Sequence, residues 1–91
     1  MNVQQFKRLE QPDPSFTPEL LALWWDFHGN WDMAHSQVDH LSGKLSARVH
    51  AYLHRKEGDL WNADYWYRIA GEERPTYSLD REWEELLERL L

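Results

Sequence analysis

Apolar residues recur along most of this chain at helical spacing, and nowhere do they alternate with the period of two that a half-buried strand requires. Leu20, Leu23, Trp24 and Phe27 make one stripe, and Leu21 and Trp25 widen it, so the helix that carries them is buried over a broad arc. Its start is written in chemistry. Thr17 can accept from a free backbone N–H, Pro18 suits the first helical position, Glu19 favours the positive dipole end, and Phe16 can staple against Leu21. Gly29 ends it in the manner of a left-handed cap. Asn30 can cap a second helix, about Trp31 to Leu41, with Trp31, Ala34, Val38 and Leu41 on its apolar side. Ser42 to Lys44 reads as a turn. A third helix runs from about Leu45 to Glu57 and stops at Gly58. Asp59 caps a fourth, about Leu60 to Ala70, which stops at Gly71. Ser78 or Asp80 opens a fifth, in which Leu79, Trp83, Leu86, Leu87 and Leu90 share one face.

These elements predict an all-α chain of five helices: a hairpin over 17–41, a hairpin over 45–71 and an amphipathic capping helix over 79–91 in one domain. Residues 1–16 are polar, and "QPDPSF" breaks any helix there, so they are expected to form a flexible or loosely docked arm. On a wheel of about 100° per residue, the third helix has Leu45, Val49, Tyr52 and Leu53 on one side and Ala47 and Ala51 on the other. His50 and His54 flank the alanines, and Arg48 and Arg55 hold the polar edge. A helix apolar on two sides belongs in the middle of its neighbours. On the fourth helix, Leu60, Ala63, Trp66, Tyr67 and Ala70 form the inward arc, continued by Ile69 and Asn62, whose amide is expected to make a structural hydrogen bond. Trp61 and Tyr65 fall opposite, beside an expected Asp64–Arg68 ion pair.

The two hairpin turns repeat one another. "GNWDMAH" from Gly29 and "GDLWNAD" from Gly58 align Gly with Gly, Asn30 with Asp59 and Ala34 with Ala63, at an offset of 29 residues. Glycine stops one helix, Asn or Asp caps the next, and alanine lets the two approach closely. With "EGDLWNADYWYRIA" at the second turn, the stretch from Pro18 to Gly71 resembles the tetratricopeptide-like superfamily. That resemblance implies a right-handed array of helical hairpins used for protein interaction. The repeat length departs from the usual value of about 34, so one hairpin or its connection must be trimmed. The run "AYLHRKEGDLWNADYWYRIAG" is also similar to one carried by a group of small, uncharacterised bacterial proteins, which implies a bacterial source and no particular activity.

Composition narrows the function. The chain has 91 residues, 16 acidic against 10 basic side chains and a net charge of −6, which repels phosphate backbones and argues against nucleic acid as a partner. It has no cysteine, hence no disulfide framework and no thiolate chemistry. No run approaches the roughly 18 apolar residues of a membrane span. The first residues contain no apolar core of signal-peptide length, so the expected location is cytoplasmic. Six tryptophans are the unusual number. Several must lie in a core or an interface.

Trp61 and Tyr65, four apart with Arg68 one turn on, are candidates for binding a protein partner or a second copy of the chain, since such residues dominate interface energetics. Leu90 and Leu91 offer a second apolar patch at the tail. His50 and His54, also four apart, can share a divalent metal such as zinc, with Glu57 as an oxygen ligand and His35 and Asp39 completing the set. The spacing matches neither "HExxH" nor the Glu-x-x-His order of di-iron bundles, and both rings can equally be packing groups beside alanines. There is no nucleophile elbow or phosphate-binding loop, and the charged runs "HRKEGD" and "DREWEELLER" read as solvated faces. The sequence therefore favours a non-catalytic interaction module. The alternative is a metal- or small-ligand-binding protein, with enzymatic activity as one form of it, built on His50, His54 and a nearby carboxylate.

Overall fold

Start and stop residues act as their chemistry predicts in the computed structural model, which describes all of residues 1–91. The Thr17 hydroxyl accepts from the Leu20 N–H at 3.3 Å, Asn30 from Met33 at 3.0 Å, Asp59 from Asn62 at 3.2 Å and Ser78 from Arg81 at 3.2 Å. The helices so opened are α2 (Pro18–Phe27), α3 (Trp31–Val38), α5 (Leu60–Ala70) and α6 (Leu79–Leu90). Between α3 and α5 lies α4 (Lys44–Glu57), the longest. Gly58 and Gly71 follow α4 and α5 at φ +90° and +77°, a backbone region that glycine enters without steric cost.

The helix count is six, not five, and there is no strand. The additional helix, α1 (Val3–Arg8), lies in the segment expected to be a loose arm. It is held by a capping box, in which Asn2 accepts from the Gln5 N–H at 2.9 Å and Gln5 accepts from the Asn2 N–H at 2.8 Å. Phe6 is its only buried residue and has no exposure at all; its ring stacks on Phe16 at 5.4 Å and meets Trp83 at 5.8 Å. The break predicted at "QPDPSF" is present, since α1 stops at Arg8. α3 ends at Val38, short of the expected Leu41.

α2 with α3 and α4 with α5 form two helical hairpins, and α4 packs against α2, α3, α5 and α6. Every residue of α4 from Ser46 to His54 is buried, as a sandwiched helix requires. α6 lies across α2 and α4, and α1 fills the remaining edge between α2 and α6. The main core gathers Phe6, Leu23, Trp24, Val38, Val49, Leu53, Trp83, Leu86 and Leu87. A smaller cluster of Ala51, Ala63 and Tyr67 joins α4 to α5, where the two alanines permit close approach.

Three details of the sequence-based picture need correction. Arg48 is buried, not a solvated edge: its guanidinium lies 2.7 Å from the Glu82 carboxylate, which is itself fully buried and also takes Arg55 at 2.7 Å and the Tyr67 hydroxyl. α6 reaches across α4 and brings in that counter-charge from 34 residues away. Leu60 and Ile69 point outward, at 42% and 41% exposure, because the inward arc of α5 is narrowed to the alanines and Tyr67. Asp64 pairs with Arg74 of the following loop at 3.1 Å, not with Arg68. No helix is long and apolar enough to cross a membrane.

Candidate functional site

Two groupings of side chains stand apart from core packing. The first is the outer face of α5. Trp61 is 80% exposed, and Tyr65 and Ile69 follow it at successive i+4 positions, each more than two-fifths exposed. Leu60 borders the stripe, and Arg68 lies exposed beside it. Tyr65, in the middle of the stripe, meets the edge of its α5 neighbour Trp66 at 5.2 Å. The three candidates Trp61, Tyr65 and Arg68 therefore share one open surface. At the tail, Leu90 is half-buried against the core and only Leu91 is exposed.

The second grouping joins His35 of α3 to His50 and His54 of α4. One ring nitrogen from each lies within 4.8 Å of the other two. His35 Nε2 and His50 Nε2 are 2.9 Å apart, close enough that one must donate and the other accept. The outer nitrogens of two rings face carboxylates: His54 Nδ1 is 2.6 Å from Glu57 Oε1, and His35 Nδ1 is 3.6 Å from Asp39 Oδ2. Glu57 and Asp39 thus sit behind the histidines, in the place of orienting groups rather than of direct ligands.

Two tryptophans wall the cluster. Trp31 stacks on His35 at 4.7 Å and is pinned by its own Nε1–H, which donates to the Leu53 carbonyl at 2.7 Å. Trp66 stacks on His50 at 4.1 Å. His50 and His54 are almost fully buried, whereas a quarter of the His35 side chain is exposed. Burial pushes His50 down to about 4, with nearby His54 and His35 adding to the depression and Asp39 opposing it. His35 is lowered chiefly by burial and next by His54. All five metal candidates, His35, Asp39, His50, His54 and Glu57, lie in one place, although the two carboxylates do not take the ligand role expected of Glu57.

Trp31 and Trp66 were not among the sequence-derived candidates. A signal for Trp66 existed: it is as far beyond Gly58 as His50 is before it, and residues equally spaced from a hairpin turn face one another. Ile69 was likewise missed as part of the exposed stripe. A cleft of about 330 Å³ between α1, α2, α4 and α6 is lined by Lys7, Asp26, Tyr52, Lys56 and Trp83 among others. Most of its polar groups are already engaged with each other, since Asp26 takes the Tyr52 hydroxyl at 2.6 Å and Lys56 at 2.8 Å, and Lys7 pairs with Glu84 at 3.0 Å.

No protein-family model matches the chain, and no curated protein or solved structure matches it.

Proposed function

We propose that the chain is a non-catalytic protein-interaction module of tetratricopeptide-like type, docking a protein partner or a second copy of itself on the outer face of α5. The observation that carries this reading is the exposure of Trp61 at the head of a continuous apolar stripe with Tyr65 and Ile69. An indole left in water in a small domain forgoes burial that would stabilise the fold. Clustered with a tyrosine, an isoleucine and an arginine, it has the composition of a binding hot spot. The paired turns at Gly29 and Gly58 and the two side-by-side hairpins support the tetratricopeptide-like part of the proposal. In this reading α6 and α1 take up the side formed by α2 and α4, so docking moves to the outside of the second hairpin.

Sedimentation of the wild type beside a folded Trp61→Ala, Tyr65→Ala double variant, with affinity capture from the source organism's lysate using both as baits, tests it. A wild-type dimer that the variant abolishes establishes self-association through α5. A monomer that captures a protein the variant fails to hold establishes a foreign partner. A wild-type monomer whose captured proteins are the same as the variant's contradicts the proposal.

A further inference from the structure

We propose that His35, His50 and His54 form a three-histidine site for one divalent transition-metal ion of the zinc class, with a fourth coordination position reached by water past the quarter-exposed His35 ring. Imidazole nitrogens suit zinc, copper, nickel and iron, and three of them with one open position are a recurrent zinc arrangement.

The geometry supports the site in several independent ways. Zinc–nitrogen bonds of about 2.0–2.1 Å place tetrahedral ligand nitrogens about 3.3 Å apart. Here the His35–His50 pair is at 2.9 Å and one nitrogen from each of the three rings lies within 4.8 Å of the other two, so small side-chain rotations bring them to one centre. The Glu57 carboxylate accepts from His54 Nδ1 and so favours the tautomer with Nε2 as the free lone pair. The Asp39 carboxylate, 3.6 Å from His35 Nδ1 and too far for a hydrogen bond, biases His35 the same way by charge alone. A carboxylate behind a histidine is the usual second layer of a zinc site, setting ring orientation and raising basicity. His50 supplies the second observation. Its Nδ1 is the molecule's one buried side-chain polar atom without a hydrogen-bond partner. Its other nitrogen meets only another histidine. Packing alone leaves this buried ring short of partners on both sides, and an ion taken at Nε2 in place of the His35 contact would supply one of them. The triplet of buried His54 with exposed Glu57 and Asp59 is a weaker arrangement, because Glu57 is already bonded to His54 and Asp59 caps α5.

An ion here would tie α3 to α4, independently of the α5 surface. The test uses the full chain stripped with a chelator and zinc itself as probe, titrated at neutral pH in competition with a chromophoric chelator. We expect one equivalent bound at micromolar dissociation constant or tighter. Cobalt substituted for zinc should give the visible absorption of a tetrahedral ion. His35→Ala, at the most exposed of the three positions and with its fold checked by circular dichroism, should weaken zinc binding by more than about 100-fold, beyond the 10–100-fold expected for Glu57→Gln, which removes only an orienting group. His28→Ala and His40→Ala, outside the cluster, should leave the affinity unchanged. Absence of a one-equivalent site in the wild type overturns the proposal. So does an affinity that survives His35→Ala, including one that instead follows Asp59→Asn.

Discussion

A carboxylate with no access to water is tolerable only when opposite charges and donors surround it, and at Glu82 they do: Arg48, Arg55 and the Tyr67 hydroxyl all converge on its two oxygens. Removing it leaves Arg48 buried beside the half-exposed Glu72 alone. Glu82→Ala should therefore destabilise the protein by about 3–5 kcal/mol. Glu84→Ala, which loses one partly exposed pair with Lys7, should cost less than about 1 kcal/mol. Urea denaturation of the two variants checks the contrast, and equal effects would mean that the network is not formed. Glu72 carries a pH dependence of defined sign. Its carboxylate is held below the usual glutamate range, first by the two-pronged contact with Arg89 at 2.8 and 2.9 Å and next by Arg48, with burial opposing. The unfolded chain takes up this proton near 4.5, and the folded chain only at lower pH. Below pH 4.5 the unfolded state binds more protons, so this contribution is present above that value and is lost as pH falls through the folded value. Glu72→Gln should flatten the acid limb of the stability curve. Neither residue was legible in the sequence. Glu82 sits in "DREWEELLER", where one glutamate looks like another, and a helical wheel cannot show that a guanidinium 34 positions away needs it.

Elements with a stripe and punctuating residues are legible to within a turn; α1 is not, because a helix of 6 residues with a single buried side chain has no stripe to show. What it did offer was the Asn2-x-x-Gln5 capping box, a pattern that is informative only when a helix is already suspected. Docking through one ring gives a direct prediction. Phe6→Ala should cost about 3–5 kcal/mol, as for any aromatic removed from a core, whereas a loosely attached arm would lose almost nothing. Thermal unfolding of the variant distinguishes the two. The outward turn of Ile69 has a cause that periodicity does not carry. Periodicity gives the direction in which a side chain points, but the neighbouring helices decide how far the buried arc extends. On α5 they cover less than the pattern allows, and the uncovered remainder is the stripe on which the functional proposal rests.

At the scale of the whole molecule, a radius of gyration of 12.1 Å matches the roughly 12 Å expected for a folded chain of this length, so the exposed stripe does not belong to an expanded state. The hairpins and their order were legible from the repeat at Gly29 and Gly58. The placement of α6 across α2 and α4 was not, since a single amphipathic face does not name the surface it will cover. The histidine cluster was partly legible: the i, i+4 pair on α4 is a sequence pattern, but its meeting with His35 depends on how α3 packs against α4. The central claim is that the outer face of α5 is open in the isolated chain and covered in use. Fluorine NMR of 5-fluorotryptophan-labelled protein, with the Trp61 line assigned from Trp61→Phe, tests it at the residue concerned. In dilute buffer Trp61 should show the largest solvent isotope shift of the six indoles, and in concentrated protein or source lysate that line alone should move or broaden strongly. A Trp61 line shielded from solvent in the dilute monomer, or one unchanged in every setting, would contradict the account.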